Sequence, residues 1–254
     1  MIAGVSIGLP GGVDRGLLRE VAPLIERLGF RALWLNDTSQ GDSLAGLAVA
    51  ASVTSTLRLA TGVIPLDRRP ADTLAESIME LPADRLEIGI GSGGPHDALR
   101  RVREGIDELR AVTSATILVG ALGPKMRALG AEHADGLLLN WLTPTAAAEA
   151  VATLKSVAPH GRAALYARTI VATDARPALE REAATYASSP AYAANLARTG
   201  TDIIDTTIDA TAAGSLATRV GEYRESVDEL VLRATVARES DLAGFVAAAA
   251  SALQ

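Results

Sequence analysis

Residues 117–144 read ILVGALGPKMRALGAEHADGLLLNWLTP. An apolar run of three, Ile117, Leu118 and Val119, leads into Gly120-Ala121-Leu122-Gly123-Pro124-Lys125; a helical pattern follows, and a second apolar run stops at Asn140-Trp141. This is a strand, a glycine-rich turn, a helix and a second strand, the unit from which parallel α/β sheets are built. Two readings of the turn stay open. It is a bare connection in which Pro124 starts the helix, or its unpaired N–H groups, the helix dipole and Lys125 hold a phosphate or carboxylate.

The same alternation runs outward in both directions. Predicted strands cover residues 2–8, 32–36, 57–63, 86–91, 116–120, 136–139, 165–172 and 229–232, with helical patterns at 16–28, 71–81, 99–112, 124–133 and 145–157. In the first of these helices Leu17, Val21, Leu24, Ile25 and Leu28 recur at three- and four-residue steps. About eight strand–helix units over roughly 250 residues predict a (β/α)8 TIM barrel in one domain, residues 1–254, since an open doubly wound sheet would need fewer strands. Residues 185–217 break the rhythm and are expected to form a helical insertion between strands seven and eight; the alanine-rich stretch 245–250 predicts a last helix.

Composition limits the partners. Lys and Arg number 24 against 30 Asp and Glu, a net charge of −6 with no basic block, which disfavours nucleic acid and anionic membranes. No cysteine is present, so a disulfide framework and thiolate metal sites are excluded. No apolar run approaches roughly 18 residues, and the expectation is a soluble cytoplasmic protein. No metal is expected either: His96, His133 and His160 lie far apart. Ser92 lacks the first glycine of a nucleophile elbow, because position 90 is Ile.

A TIM barrel places its chemistry at the C-terminal ends of its strands. By that rule Asp37 and Thr38, Thr61 and Gly62, Ser92 to His96, Gly120 to Lys125, and Asn140 with Trp141 ring one pocket. His133 and His160 fall elsewhere and are expected to be structural. Few of the pocket groups titrate, which suits an enzyme whose bound cofactor does redox chemistry.

GALGPKM followed by ADGLLLNWLTP resembles the bacterial luciferase-like superfamily, especially its coenzyme F420-dependent branch. GFRALWLND, LRLATGVIPLDRRP, DRLEIGIGSGG and SSPAYAANLARTG fit the same resemblance in order and with it cover most of the chain. The resemblance implies a deazaflavin lying across the barrel mouth. Gly120, Ala121, Leu122, Gly123, Pro124 and Lys125 would hold its phosphate or ring edge; Asp37, Thr61, Gly62, Val63 and Asn140 would contact the ring or ribityl chain. Thr61-Gly62-Val63 matches a segment that bulges in relatives, often through a non-proline cis peptide. His96 and Asp37 are the catalytic candidates, and Trp141, Thr38 and His96 would face the substrate, although Trp141 also reads as a core aromatic at a strand end. Arg168 points inward near the phosphate or outward to the surface.

Two departures matter. Thr38 stands where many relatives carry a histidine, and the connection between strands four and five lacks their long excursion, so a more open pocket is expected. The resemblance implies an F420-dependent oxidoreductase moving a hydride to or from a small organic substrate, probed against two alternatives: an FMN-dependent luciferase-like monooxygenase, and a degenerate, non-catalytic flavin-binding homologue. It also implies a homodimer through the second and third helices, where Ala45, Ala48 and Ala51 offer a small-residue face.

Overall fold

The computed structural model describes residues 2, 4–39, 41–212 and 214–254. Eight parallel strands close a barrel: β1 (Val5–Pro10), β2 (Ala32–Asn36), β3 (Arg58–Pro65), β4 (Leu86–Gly91), β5 (Thr116–Gly120), β6 (Gly136–Asn140), β7 (Arg162–Ile170) and β9 (Glu229–Ala234). Closure runs through the β6–β7, β7–β9 and β9–β1 pairings, while the two-residue β8 (Ile208–Asp209) pairs only with the end of β7. The expected TIM barrel is therefore the observed one. Among the described residues no helix is long and apolar enough to cross a membrane.

Helices α1 (Arg15–Arg27), α2 (Ser43–Ala51), α4 (Ala98–Val112), α5 (Pro124–His133), α6 (Pro144–Val157), α9 (Ser215–Arg224) and α10 (Leu242–Leu253) flank the sheet. Asp14 caps α1 by accepting from Leu17 N at 3.0 Å, and Asp42 caps α2 by accepting from Ala45 N at 3.1 Å, each satisfying a donor that the helix itself leaves free. The predicted helix 71–81 is shorter: a 3-10 turn, Ala71–Leu74, leads into a five-residue α3 (Ala75–Met79) between Pro70 and Pro82. The first strand begins at Val5 rather than residue 2, and Ala3 lies outside the described residues.

The core has two layers. The larger lies between strands and helices, where Ile7, Leu33, Leu59, Ile88 and Leu137 meet Leu18, Val21, Leu47, Ile106 and Phe245. The smaller fills the barrel with Trp34, Ala60, Leu118, Leu138, Ala164, Tyr166 and Val231, the Trp34 and Tyr166 rings meeting edge to face at 5.8 Å.

Below this layer the barrel is plugged by charge. Glu87 and Glu229, both fully buried, sit at the N-terminal ends of β4 and β9. Arg31 meets Glu87 at 2.8 Å and Glu229 at 2.6 Å, Arg58 meets Glu87 at 2.6 Å, and Arg162 meets Glu87 at 2.8 Å and Glu229 at 2.7 Å. Ser6 and the Trp34 indole donate to Glu229 from above. Arg162 explains why β7 starts three residues before the predicted position: its side chain is anchored in this network.

The irregular region resolves into α7 (Arg176–Ala187), α8 (Pro190–Thr199), a 3-10 turn (Ile203–Thr206) and β8. Its helical character is as expected, but it begins earlier, since α7 already contains Thr185.

Candidate active site

The bulge in β3 shapes the mouth. Between Thr61 and Ile64 the register against β4 shifts, and the Gly62–Val63 peptide is cis, as the resemblance implied. Val63 is thereby brought against its neighbours' backbones: a Cβ on Gly120 would stand 2.8 Å from Val63 Cγ1, and one on Gly91 would stand 2.9 Å from Cγ2. Real carbons do not approach so closely, so β4 and β5 end in glycine because Val63 occupies the room a side chain would take. Gly62 itself lies under Tyr166, whose ring would be 2.7 Å from an added Cβ.

Above this floor is a cavity of about 770 Å³ lined by Asn36, Asp37, Gly62, Val63, Gly91, Ser92, Gly93, Gly94, Gly120, Ala121, Leu122, Gly123, Leu138 and Asn140, with Tyr166, Tyr186 and Tyr192 on the other side. It sits at the C-terminal ends of β2 to β7, where the sequence placed it. A second space, about 590 Å³ beside Arg176, Asp209 and Arg219, has both its arginines already paired, Arg176 with Asp209 and Arg219 with Glu222.

The β4 side of the mouth is short, six residues linking Gly91 to α4. Gly94 N donates 2.7 Å to Asp67, and Gly93, at φ 69°, turns the chain where a side chain would collide with that carboxylate. Cover comes from elsewhere: Ser189, Pro190, Ala191 and Tyr192 at the start of α8 close the opposite wall. The pocket expected to be open is thus roofed on one side by the excursion between β7 and β9.

Several predicted residues do not reach the cavity. Thr61 is fully buried, its hydroxyl donating to Gly89 O at 3.0 Å and accepting from Gly89 N at 2.9 Å, so it fastens β3 to β4. Trp141 is 1% exposed and packs with Ala183, Ile203 and Tyr186; the core reading of this residue is the observed one. His96 and Lys125 are exposed, and neither lines the cavity, nor do Pro124 and Thr38; Thr38 N donates to Gly41 O at 3.1 Å in the turn after β2. Asp37 does line it, but its carboxylate meets Arg68 at 3.0 Å and Arg69 at 2.6 Å and accepts from Ser43 N and Oγ, which makes it a brace between β2, α2 and the β3 loop. Gly62, Val63, Gly120, Ala121, Leu122, Gly123 and Asn140 lie where expected. His133 accepts from Arg103 at 2.9 Å on the outer surface, and His160 is exposed.

More telling are Asn36 and Tyr166, which sequence reading passed over, and Arg168, whose direction it left open. Asn36 donates to Gly62 O and accepts from Arg233 Nε at 3.0 Å. Arg168 points inward, 2% exposed, donating to Asn140 Oδ1 and pairing with Glu182 at 3.0 Å. Tyr166 is 3% exposed and its hydroxyl has no partner; burial holds it far above the ordinary phenol range, so it is a proton-bearing donor facing the cavity. Strand alternation could have found Tyr166, which shares a face of β7 with Arg168.

A second cluster flanks Leu122. Arg198 of α8 donates to Asn195 Oδ1 at 2.5 Å and to Leu122 O at 3.4 Å. Arg127 of α5 lies close enough that burial and then Arg198 push its guanidinium down to about 10. Arg127 Nε and Asn195 Nδ2 are buried with no partner, and neither arginine forms an ion pair among the described residues. Two like charges, two orphan donors and the uncapped start of α5 at Gly123 form an electropositive cluster behind Leu122; Leu122 and Gly123 line the cavity, while Arg127, Asn195 and Arg198 do not. No short-range sequence signal joins Arg127 to Arg198.

This geometry accords with similarity to known proteins. Residues 6–117 match the Luciferase-like monooxygenase family. The matched stretch is less than half of the chain. The chain is 29% identical over 155 residues to 5,10-methylenetetrahydromethanopterin reductase of Archaeoglobus fulgidus, covering 46% of this chain and 47% of that protein, so the match spans about half the length of its relative. The barrel superposes on an F420-dependent secondary alcohol dehydrogenase in complex with an F420–acetone adduct with a TM-score of 0.75 at 12% identity, covering 98% and 99% of the two chains. It also superposes on the oxygenating constituent of 3,6-diketocamphane monooxygenase of Pseudomonas putida in complex with FMN, TM-score 0.65 at 13% identity, covering 98% and 96%. At these identities the structures share the fold.

The residues fit a phosphorylated flavin-type cofactor. A slot with glycine on one wall and tyrosine on the other accepts a flat ring, Asn36 and Asn140 border it with amide groups, and the unpartnered donors of Arg127 and Asn195 lie beyond its lining residue Leu122.

Proposed function

We propose that this chain is an F420-dependent oxidoreductase that moves a hydride between the deazaflavin and a small organic substrate. The observation that carries the reading is the glycine-walled slot, with the Arg127–Arg198 pair, free of ion pairs among the described residues, lying behind its lining residue Leu122, where it supplies charge for a phosphate. Arg127, Arg198, Asn195 and the amides of α5's first turn would hold the phosphate; Gly62, Val63, Gly91 and Gly120 would form the surface under the ring; Tyr166 would donate a hydrogen bond. The cofactor, when bound, supplies the hydride chemistry. The chain's own part is orientation and partial exclusion of water by α8.

Similarity to an F420-dependent dehydrogenase and to a methanopterin reductase supports this assignment. Similarity to an FMN complex supports the second reading, an FMN-dependent monooxygenase. The short β4–α4 link leaves one side uncovered, and a reactive oxygen intermediate needs exclusion of water more than a deazaflavin hydride does, which favours F420. We also place the protein in the cytoplasm as a homodimer through α2 and α3, where Met79 is 65% exposed; sedimentation velocity giving a monomer at all concentrations would remove the dimer.

Fluorescence titration with F420 and with FMN tests the reading. Micromolar F420 binding, weakened about tenfold, or 1.4 kcal/mol, in Arg127→Ala and little changed in Lys125→Ala, is the expected result. Binding of neither cofactor leaves the fold without the proposed chemistry.

A further inference from the structure

One charge in the mouth is matched neither by the protein nor by the proposed phosphate site. Arg233 stands on β9 in register with Gly8 of β1 and Arg168 of β7. Its Nε donates to Asn36 Oδ1 at 3.0 Å and its Nη1 to the carbonyl of Ala234. Among the described residues no carboxylate lies within 4.0 Å of it. Burial lowers its proton affinity; Glu182 acts against that from farther away, and Arg168 adds to it.

Among the described residues Glu182 is also the only carboxylate paired with Arg168. The Arg168 guanidinium is otherwise held by Asn140 and stacked 4.2 Å over Trp141 and 4.8 Å from Tyr186. Two enclosed guanidinium groups thus share one acid. An enclosed, unmatched cation is costly and is normally neutralised by a partner. Arg233 is half-buried; it does not itself line the cavity but bonds Asn36, which does.

The donors around it point the same way. Asn36 has its carbonyl oxygen committed to Arg233 and its amide to Gly62 O, and Asn140 Oδ1 is committed to Arg168, so the acceptors of the floor are occupied. Tyr166, buried and unpartnered, adds an O–H on the cavity side. Donors outnumber acceptors, and the missing group is an acceptor with negative charge.

We infer that Arg233, with Tyr166, forms an anion-recognition subsite in the floor of the mouth, and that the substrate carries a carboxylate. This rests on the reading of the mouth as a redox site. A carboxylate fits the planar guanidinium fork, and it is distinct from the phosphate, which has its own arginines beyond Leu122. The subsite would set which end of the substrate enters first. The one alternative source of the same charge is the cofactor's own ring when it is anionic.

The test uses acetate, succinate and benzoate, each against its neutral amide, with binding read by calorimetry and by the shift in unfolding temperature, on the protein alone and loaded with F420. At least one carboxylate should bind tenfold or more tightly than its amide. Arg233→Gln should remove that difference, Arg233→Lys should keep part of it, and Glu182→Gln, by freeing Arg233 of its competitor, should tighten carboxylate binding severalfold. A purely structural arginine would not produce that last gain. If no carboxylate outperforms its amide, or if Arg233→Gln binds them equally well, the inference is wrong. If Arg233→Gln instead weakens F420 or FMN tenfold while carboxylates bind neither protein, the charge serves the cofactor and the carboxylate substrate is overturned. If neither cofactor binds but carboxylates still discriminate through Arg233, the redox reading fails and the subsite stands.

Discussion

At the scale of single residues, Val63 and the glycines that yield to it set the depth of the site. Gly120→Ala would put a methyl 2.8 Å from Val63, and overpacking of this kind costs about 1–3 kcal/mol; chemical denaturation should show that loss, with cofactor affinity falling more steeply than stability. Tyr166→Phe leaves the Trp34 contact in place and removes only the unpartnered hydroxyl, so stability should stay the same or rise while cofactor or substrate affinity drops severalfold in titration. A reader of the sequence could see that Gly62, Gly120 and Asn140 belong to a strand-end ring, because the barrel rule depends only on where strands stop. Thr61, Trp141 and His96 were assigned from position alone, and a strand's last residues alternate between cavity and core. Thr61 fell on the core side, Trp141 was turned into the helical excursion with φ at 52°, and His96 landed in solvent. Arg127 and Arg198 were invisible for another reason: their meeting is a tertiary fact.

At the scale of elements, the segment 117–144 was legible almost to the residue, since glycine and proline punctuate it and α5 runs from Pro124 to His133 as its pattern demands. Of the excursion between β7 and β9 the helical character and α8 were legible, but its start was not, because α7, at 176–187, carries small residues without a strong periodic face. Its attachment rests partly on Tyr223 of α9, whose hydroxyl donates to Leu142 O at 3.0 Å and Thr206 O at 3.2 Å. Tyr223→Phe should cost about 1 kcal/mol. Hydrogen exchange should then speed in residues 201–209 and spare the β1–β4 half of the barrel; uniform acceleration would contradict a local tether.

At the scale of the whole molecule, the charge plug links stability to acid. Burial alone would raise the Glu87 carboxyl, but Arg162 and Arg31 more than reverse it and hold it below the ordinary range. A carboxylate so depressed contributes stability in full above its unfolded value, 4.5, and that contribution is lost as pH falls through the lower folded value. Glu182, lowered by Arg233 and Arg168 against its own burial, acts in the same direction. Glu87→Gln should therefore destabilise by roughly 3–5 kcal/mol near neutrality and shrink the difference from wild type as the solution is acidified below pH 4.5, read as unfolding free energy against pH. A constant difference across that range would place the stability elsewhere. The plug has a kinetic side as well. Above the plug the barrel interior is packed by Trp34, Tyr166 and their neighbours, so the cavity is a well rather than a tunnel. Whatever visits the floor enters and departs by one aperture, so two ligands that share the shaft must queue, the last to arrive being the first able to leave.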